Sequence, residues 1–362
     1  MTIYLLTFLL SIISLWLSTK SSGLVRYALL FASILLPTIL AGCRDMKIGA
    51  DTQGYQYDVF LTCCYNKSIK NILASSYVEP LYTFMMWCAS KVFANFNFCL
   101  FVSHLILLCT IMIAIIRLKI NVVFPFILFY LCFYCETLNL TRQHLASAFC
   151  LLSFAEFTNA KYLKSMCAFV VSYFFHNSSL IFLSVILILY ATEKYRIMLK
   201  REIYFLMFLL VIIILFSFKE IVLNLSQSEM IKSEYVERYA DAKMYGSSLP
   251  VALLAINTFN LFMFLILKKT IKDDKKIAFF TYMFMLSFLF CFLGAISIFA
   301  VRIGLYFMIV SILYCMPYML KNAYLRYKNI VTIFYMFYWY MVVGVANMGN
   351  VYPYQSVLLD IF

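Results

Sequence analysis

The sequence predicts an all-α polytopic integral membrane protein, with about 12–13 hydrophobic helices in a single transmembrane domain over residues 1–362. Three observations predict it. The chain is 65% hydrophobic and 12% charged with a mean hydropathy of +0.93, too little polar surface to cover a soluble core. Apolar runs of about 17 to 22 residues recur from end to end, the length that crosses a hydrocarbon core roughly 30 Å thick. The alternating segments of about ten residues that mark a membrane barrel are absent.

The runs fall at 2–18, 24–42, 79–96, 98–117, 121–136, 139–158, 162–176, 178–192, 203–223, 250–267, 277–299, 301–319 and 330–347. The first, "TIYLLTFLLSIISLWLS", lacks a basic leader and a small-residue cleavage site, and its flanking charges, Lys20 and Arg26, follow it. It reads as a retained first helix with its N-terminus outside. Two polar segments are long, 43–77 and 224–249, and the other connections are short. There is no internal repeat.

Basic residues set the orientation. "EKYRIMLKR" (193–201), "KKTIKDDKK" (268–276) and "KNAYLRYK" (321–328) are the densest, which places them in the cytoplasm. Counting back from them puts the turns at 136–141 and 176–179 and the segment 224–249 outside. Counting forward from the first helix puts 43–77 outside as well. The two countings agree only if one segment does not cross. The segment 79–96, which opens with Glu79-Pro80 and carries Lys91, is expected to be that re-entrant or interfacial helix.

The net charge of +13 follows from these loops, and no nucleic-acid partner is expected. Twelve cysteines are scattered without metal-site spacing, mostly in apolar runs, where they act as small hydrophobes. Cys43, Cys63 and Cys64 leave room for one disulfide. No clustered carboxylates suggest a divalent metal, and no glycine pattern suggests a nucleotide, so neither metal nor cofactor is expected.

The ionisable residues near apolar runs are few: Lys91, His104, Glu136, Arg142, His144, His176, Lys219 and Arg302. Charges in a membrane are costly and usually face a bundle interior or a wet cavity. Lys91 and Lys219 can snorkel, and His104 in "FVSHLILL" reads as a hydrogen-bonded packing residue. Arg142 in "LTRQHLAS" and Arg302 in "FAVRIGLYF" each start a helix on the outer side, level with His176 in "YFFHNSSL". A surface arginine there could simply hold lipid phosphate. Residues two apart on a helix point about 200° apart, so Arg142 and His144 do not share a face. Arg142 is expected to face the cavity, with Ala146 and Ser147 allowing close packing beneath it.

The outer segment opens "CRDMKIGADTQGYQYDVF", in which Gly49 and Gly54 bracket Asp51 and Tyr55 and Tyr57 follow. Aromatics beside a carboxylate suit carbohydrate, although an ordinary solvated loop would look similar. The outward inventory is therefore two arginines, a histidine and the carboxylates of Asp51 and Glu79. Arginines clamp phosphate bidentately, and a carboxylate or histidine can take a proton from an attacking hydroxyl. That set fits glycosyl transfer from a lipid pyrophosphate, with charge on the leaving group stabilised by arginine.

At these residues the chain resembles the EpsG family of Wzy-type polysaccharide polymerases. The likeness is carried by an ordered set: R-x6-D-T-x2-Y from Arg44 through Asp51 to Tyr55, "EPLY" at 79–82, "TRQHLA" at 141–146, "FFHNSSL" at 174–180, "VRIGLYF" at 301–307 and "VYPYQSV" at 351–357. Ala50 departs from the set, where a threonine would be expected before the aspartate. The resemblance implies a bacterial inner-membrane glycosyltransferase, GT-C-like, with its site on the outer face. Such an enzyme joins undecaprenyl-pyrophosphate-linked oligosaccharide repeat units and works with a chain-length regulator protein in the lipid bilayer. It implies Asp51, Glu79 and His176 as catalytic residues. Arg44, Tyr55, Arg142, Gln143 and Arg302 would bind pyrophosphate or glycan, with Arg142, His176 and Arg302 on the pyrophosphate side. The rival readings are a lipid-linked oligosaccharide flippase, which would show pseudo-repeats, an O-antigen ligase-like glycosyltransferase using the same donor chemistry, and an acyltransferase built on His176.

Overall fold

The computed structural model describes residues 1–65, 68–194, 209, 251–295, 298–321 and 323–361. The expected span 203–223 with Lys219, apart from Leu209, the segment 224–249 and most of the basic loop 193–201 lie outside the described residues. Among the described residues the chain is helical, with one isolated β-bridge between Ser356 and Ile361.

In chain order the helices are α1 (Thr2–Lys20), α2 (Gly23–Gly42), α3 (Tyr57–Tyr65), α4 (Ile69–Ser75), α5 (Pro80–Val92), α6 (Phe96–Arg117) and α7 (Val123–Asn139). They continue as α8 (Thr141–Thr158), α9 (Tyr162–Phe175), α10 (Asn177–Lys194), α11 (Val251–Thr270), α12 (Asp274–Phe292), α13 (Ala300–Leu320) and α14 (Leu325–Val345). Eight of them, α1, α2, α6, α10, α11, α12, α13 and α14, are long and apolar enough to cross a membrane. α7 and α9 are shorter apolar helices. This is a multi-pass, all-α membrane protein.

The 13 residues of α5 reach about 20 Å at about 1.5 Å each. That falls short of a hydrocarbon core of roughly 30 Å. Its Lys91 donates to the carbonyls of Cys63 and Cys64 at 2.9 and 3.2 Å. These carbonyls end α3, where a cation suits the negative end of the helix.

The segment 43–77 is no irregular loop. After a π-turn at Thr52–Gln56 it forms α3 and α4. Val59, Phe60 and Cys63 are buried at helical spacing, an amphipathic signal that the surrounding polar residues obscure. All twelve cysteines are free, so Cys43, Cys63 and Cys64 form no disulfide.

The described chain divides into two compact units, Met1–Leu180 with Ile312–Phe362, and Ile181–Ser311. In the first unit α8 packs along α6 and α9, and α2 along α1 and α6. Small and hydroxylated residues allow the approach. Ser153 of α8 donates to the Ser165 carbonyl of α9 at 2.9 Å, and a Cβ on Gly42 would stand 2.7 Å from that of Phe101. His104 of α6 is fully buried, its Nδ1 2.9 Å from the Leu100 carbonyl, the packing role expected of it.

The segment after α14 returns across this unit. Asp45, Gly49 and Ala50 donate backbone hydrogen bonds to Gln355, Asn350 and Gly349. The hydroxyls of Tyr4 and Tyr354 reach the carbonyls of Val351 and Leu40 at 2.7 and 2.8 Å. In the second unit the buried Ser287 of α12 donates to Asn257 of α11 at 2.5 Å. The rings of Phe290 and Phe307 stack with centroids 5.4 Å apart.

Candidate functional site

Three chain segments far apart in sequence meet in the first unit around Glu79. Glu79 is the N-cap of α5, with Pro80 at the first helical position, where its missing N–H costs nothing. Its carboxylate makes no capping bond and reaches sideways instead. One oxygen pairs with Arg142 Nη1, and the other lies 3.0 Å from His176 Nδ1. Arg142 sits in the first turn of α8, after an elbow at Leu140 (φ −91°, ψ 49°) that separates α7 from α8. His176 ends α9 in an extended conformation, φ −161° and ψ 119°.

The guanidinium of Arg142 also sits over the Tyr55 ring, its Cζ 4.1 Å from the ring centroid. Tyr55 meets Tyr82 of α5 edge to face, with centroids 6.5 Å apart. The π-turn residues 52–56 therefore present one aromatic face to the cation. Tyr57 is turned away into the core, where it packs on Phe60 and Phe96.

Electrostatics follow from this packing. Burial by itself would push the Glu79 carboxyl up, but the His176 ring and the Arg142 charge outweigh it and hold the group at about 2. Glu79 is thus ionised at neutral pH. Burial pushes the Tyr55 hydroxyl up to about 12 against the pull of Arg142, with the Asp51 charge adding to the rise.

Asp51 precedes Tyr55 by one helical turn and is half-buried, its backbone N–H bonded to Asn139 Oδ1 at 2.9 Å. Gly49 makes this approach possible. Its φ of +88° excludes most side chains, and a Cβ there would stand 2.4 Å from the Leu138 carbonyl oxygen. Gln143 is buried beside Arg142. His144 points elsewhere, its Nε2 3.4 Å from Glu136 Oε2, so the two ionisable residues of α8's first turn take different partners.

A family model described as the EpsG family matches residues 27–356, nearly the whole chain. The chain belongs to the EpsG family. A search of curated proteins finds no match, and neither does a search of solved structures. EpsG is a Wzy-type, polymerase-like family, so the function of this EpsG protein is of the polysaccharide-polymerase kind.

Of the residues singled out in this EpsG chain, Tyr55, Glu79, Arg142 and His176 converge directly, and Asp51 stands beside Tyr55. Arg302 belongs to the second unit, half-buried on α13. Arg44 is fully buried, with its two Nη groups on carbonyls and a hydroxyl of the protein itself and its Nε without a partner among the described residues. Burial pushes its guanidinium down to about 10, which leaves it charged at neutral pH. Tyr82 was missed by residue chemistry. Its place in "EPLY", one helical turn after Glu79 in a segment opening at Glu79-Pro80, is the only signal that pointed to it. Among the described residues no three His, Cys, Asp or Glu side chains gather as a metal site would require.

Proposed function

We propose that this protein joins undecaprenyl-pyrophosphate-linked oligosaccharide repeat units at the outer face of the bacterial inner membrane. The growing glycan is the donor and a new lipid-linked unit the acceptor. A hydroxyl at the non-reducing end of the acceptor attacks the anomeric carbon that bears the pyrophosphate. The new glycosidic C–O bond forms as the bond to the pyrophosphate oxygen breaks, and undecaprenyl pyrophosphate leaves with the electron pair. The hydroxyl proton passes to a base.

The observation that carries this reading is the Arg142–Glu79–His176 arrangement at a helix start, stacked on Tyr55. Arg142 supplies the positive charge for pyrophosphate oxygens, with His176 beside it as a further hydrogen-bonding group. Glu79 aims both groups. Held at about 2, it is too weak a base to serve as proton acceptor. Asp51, beside the aromatic face of Tyr55, takes the proton instead. Arg302 and Gln143 are assigned to glycan or pyrophosphate binding. A chain-length regulator protein is the expected partner.

The test is the surface glycan of a strain lacking the gene, complemented with wild type or Arg142→Ala. The reading expects a single repeat unit in the deletion strain, a full ladder with wild type, and no ladder with the variant. Loss of all repeat units from the surface would contradict it, and would favour a flippase or a ligase. An unchanged ladder would remove the protein from polymerisation altogether.

A further inference from the structure

Arg44 is the largest side chain buried completely, and it forms no ion pair among the described residues. Burying a charge without a carboxylate is unfavourable unless strong acceptors surround it. Its acceptors are specific. Nη1 donates to the Ala41 carbonyl at 2.6 Å, and Nη2 to the Leu138 carbonyl at 3.0 Å and to Thr52 Oγ1 at 3.4 Å.

Ala41 and Leu138 lie in the last turns of α2 and α7, where the final carbonyls lack partners within the helix. Those ends also carry the negative pole of the helix dipole. A single guanidinium therefore closes two helix C-termini at once, and the partial charges there stand in for a counter-ion.

The same carbonyl of Leu138 accepts from Thr52 Oγ1 at 3.2 Å. Gln56 Nε2 donates to the Asn139 carbonyl at 3.1 Å and lies 3.4 Å from Thr141 Oγ1. Asn97 Nδ2 holds the chain on either side of Cys43, donating to the Gly42 and Arg44 carbonyls at 2.8 and 2.9 Å. The turn that bears Asp51 and Tyr55 is thus fastened to the elbow from which Arg142 projects. The stacking of Arg142 on Tyr55 depends on that fastening.

We propose that Arg44 is a positioning residue that locks the Asp51–Tyr55 turn to the Leu138–Arg142 elbow and touches no substrate. This rests on the polymerase reading only for its kinetic assay. A lysine would supply the charge but not the fork that spans Ala41, Thr52 and Leu138.

The experiment compares full-length wild type, Arg44→Lys and Arg44→Gln in lipid nanodiscs by amide hydrogen exchange and by polymerisation kinetics on a lipid-linked repeat unit. In both variants, exchange in residues 49–56 and 138–142 should rise by about tenfold or more, while the rest of the first unit changes little. The turnover rate should fall by roughly tenfold or more, because Asp51 and Arg142 are misplaced relative to each other.

Unchanged exchange in the two segments would overturn the proposal. So would a raised KM at normal turnover, which would make Arg44 a substrate contact. If the Arg44 variants do not fold, Thr52→Val and Gln56→Leu loosen the same junction. They should raise exchange in both segments, and failure to do so would equally overturn it. Should wild type itself not polymerise, the functional reading fails, yet the exchange result still decides the role of Arg44.

Discussion

An arginine in the first turn of a helix opposes the helix dipole, whose N-terminal end is positive. Arg142 stands there without serving the helix, and Glu79 and the Tyr55 face compensate it. Its planar fork can pair with Glu79 on one edge while its centre sits over a ring, which an ammonium group cannot do. Arg142→Lys should therefore lose nearly as much polymer as Arg142→Ala, roughly a hundredfold in rate, read as ladder intensity at equal protein level. Near-normal polymer from the lysine variant would contradict this. Glu79 gives a prediction with a definite sign. Its carboxyl is lowered from 4.5 to about 2, so its ion pair with Arg142 stabilises the folded state fully above about pH 4.5 and is lost as pH falls through about 2. The difference in thermal midpoint between wild type and Glu79→Gln should be present at neutral pH and shrink as pH falls below about 4.5. A difference that vanished near neutrality would refute the pairing. Arg142, Glu79 and His176 were legible because ionisable residues are scarce in so apolar a chain. The task of Arg44 was not, since one of its acceptors is a backbone carbonyl 94 residues away, which leaves no trace in side-chain chemistry.

At the scale of elements, the site depends on where helices stop. α5 begins at Glu79-Pro80, α8 begins after the Leu140 elbow, and α9 ends at Phe175, so each contributes a terminal residue to one place. These boundaries could be read from the proline, from the polar interruption at 139–144 and from "HNSS". The helices within 43–77 could not, because short amphipathic turns among polar residues resemble a loop. The close seat of the π-turn on the elbow gives a direct test. Gly49→Ala adds a methyl 2.4 Å from the Leu138 carbonyl oxygen at a φ of +88°, and should destabilise the protein by about 2 kcal/mol or more. The thermal midpoint in detergent reads this, and an unchanged midpoint would mean the turn is not seated there. The short α5 gives another. Reporter fusions after Ser76 and after Asn95 should score on the same side of the membrane, whereas opposite sides would make α5 a full span.

On the scale of the whole molecule, the all-α, many-helix architecture was plain from hydropathy alone, since only helices satisfy backbone groups in lipid without a closed barrel. Among the described residues, twelve of the thirteen apolar runs fall on helices, and the remaining one lies outside them apart from Leu209. The return of residues 349–355 over the first unit was not readable, because its hydrogen bonds, mostly to backbone carbonyls, join positions about three hundred residues apart. Its only forewarning was a motif-like "VYPYQSV" at the chain's end. The proposed activity is that this chain by itself transfers a glycan from one lipid pyrophosphate to another. The most direct measurement uses purified full-length protein in liposomes with one defined undecaprenyl-pyrophosphate-linked repeat unit. It counts glycosidic linkages formed against undecaprenyl pyrophosphate released. The account predicts oligomers with one carrier released per linkage, and none from Arg142→Ala. Carrier release without linkage, or no release at all from active wild-type preparations, would contradict it.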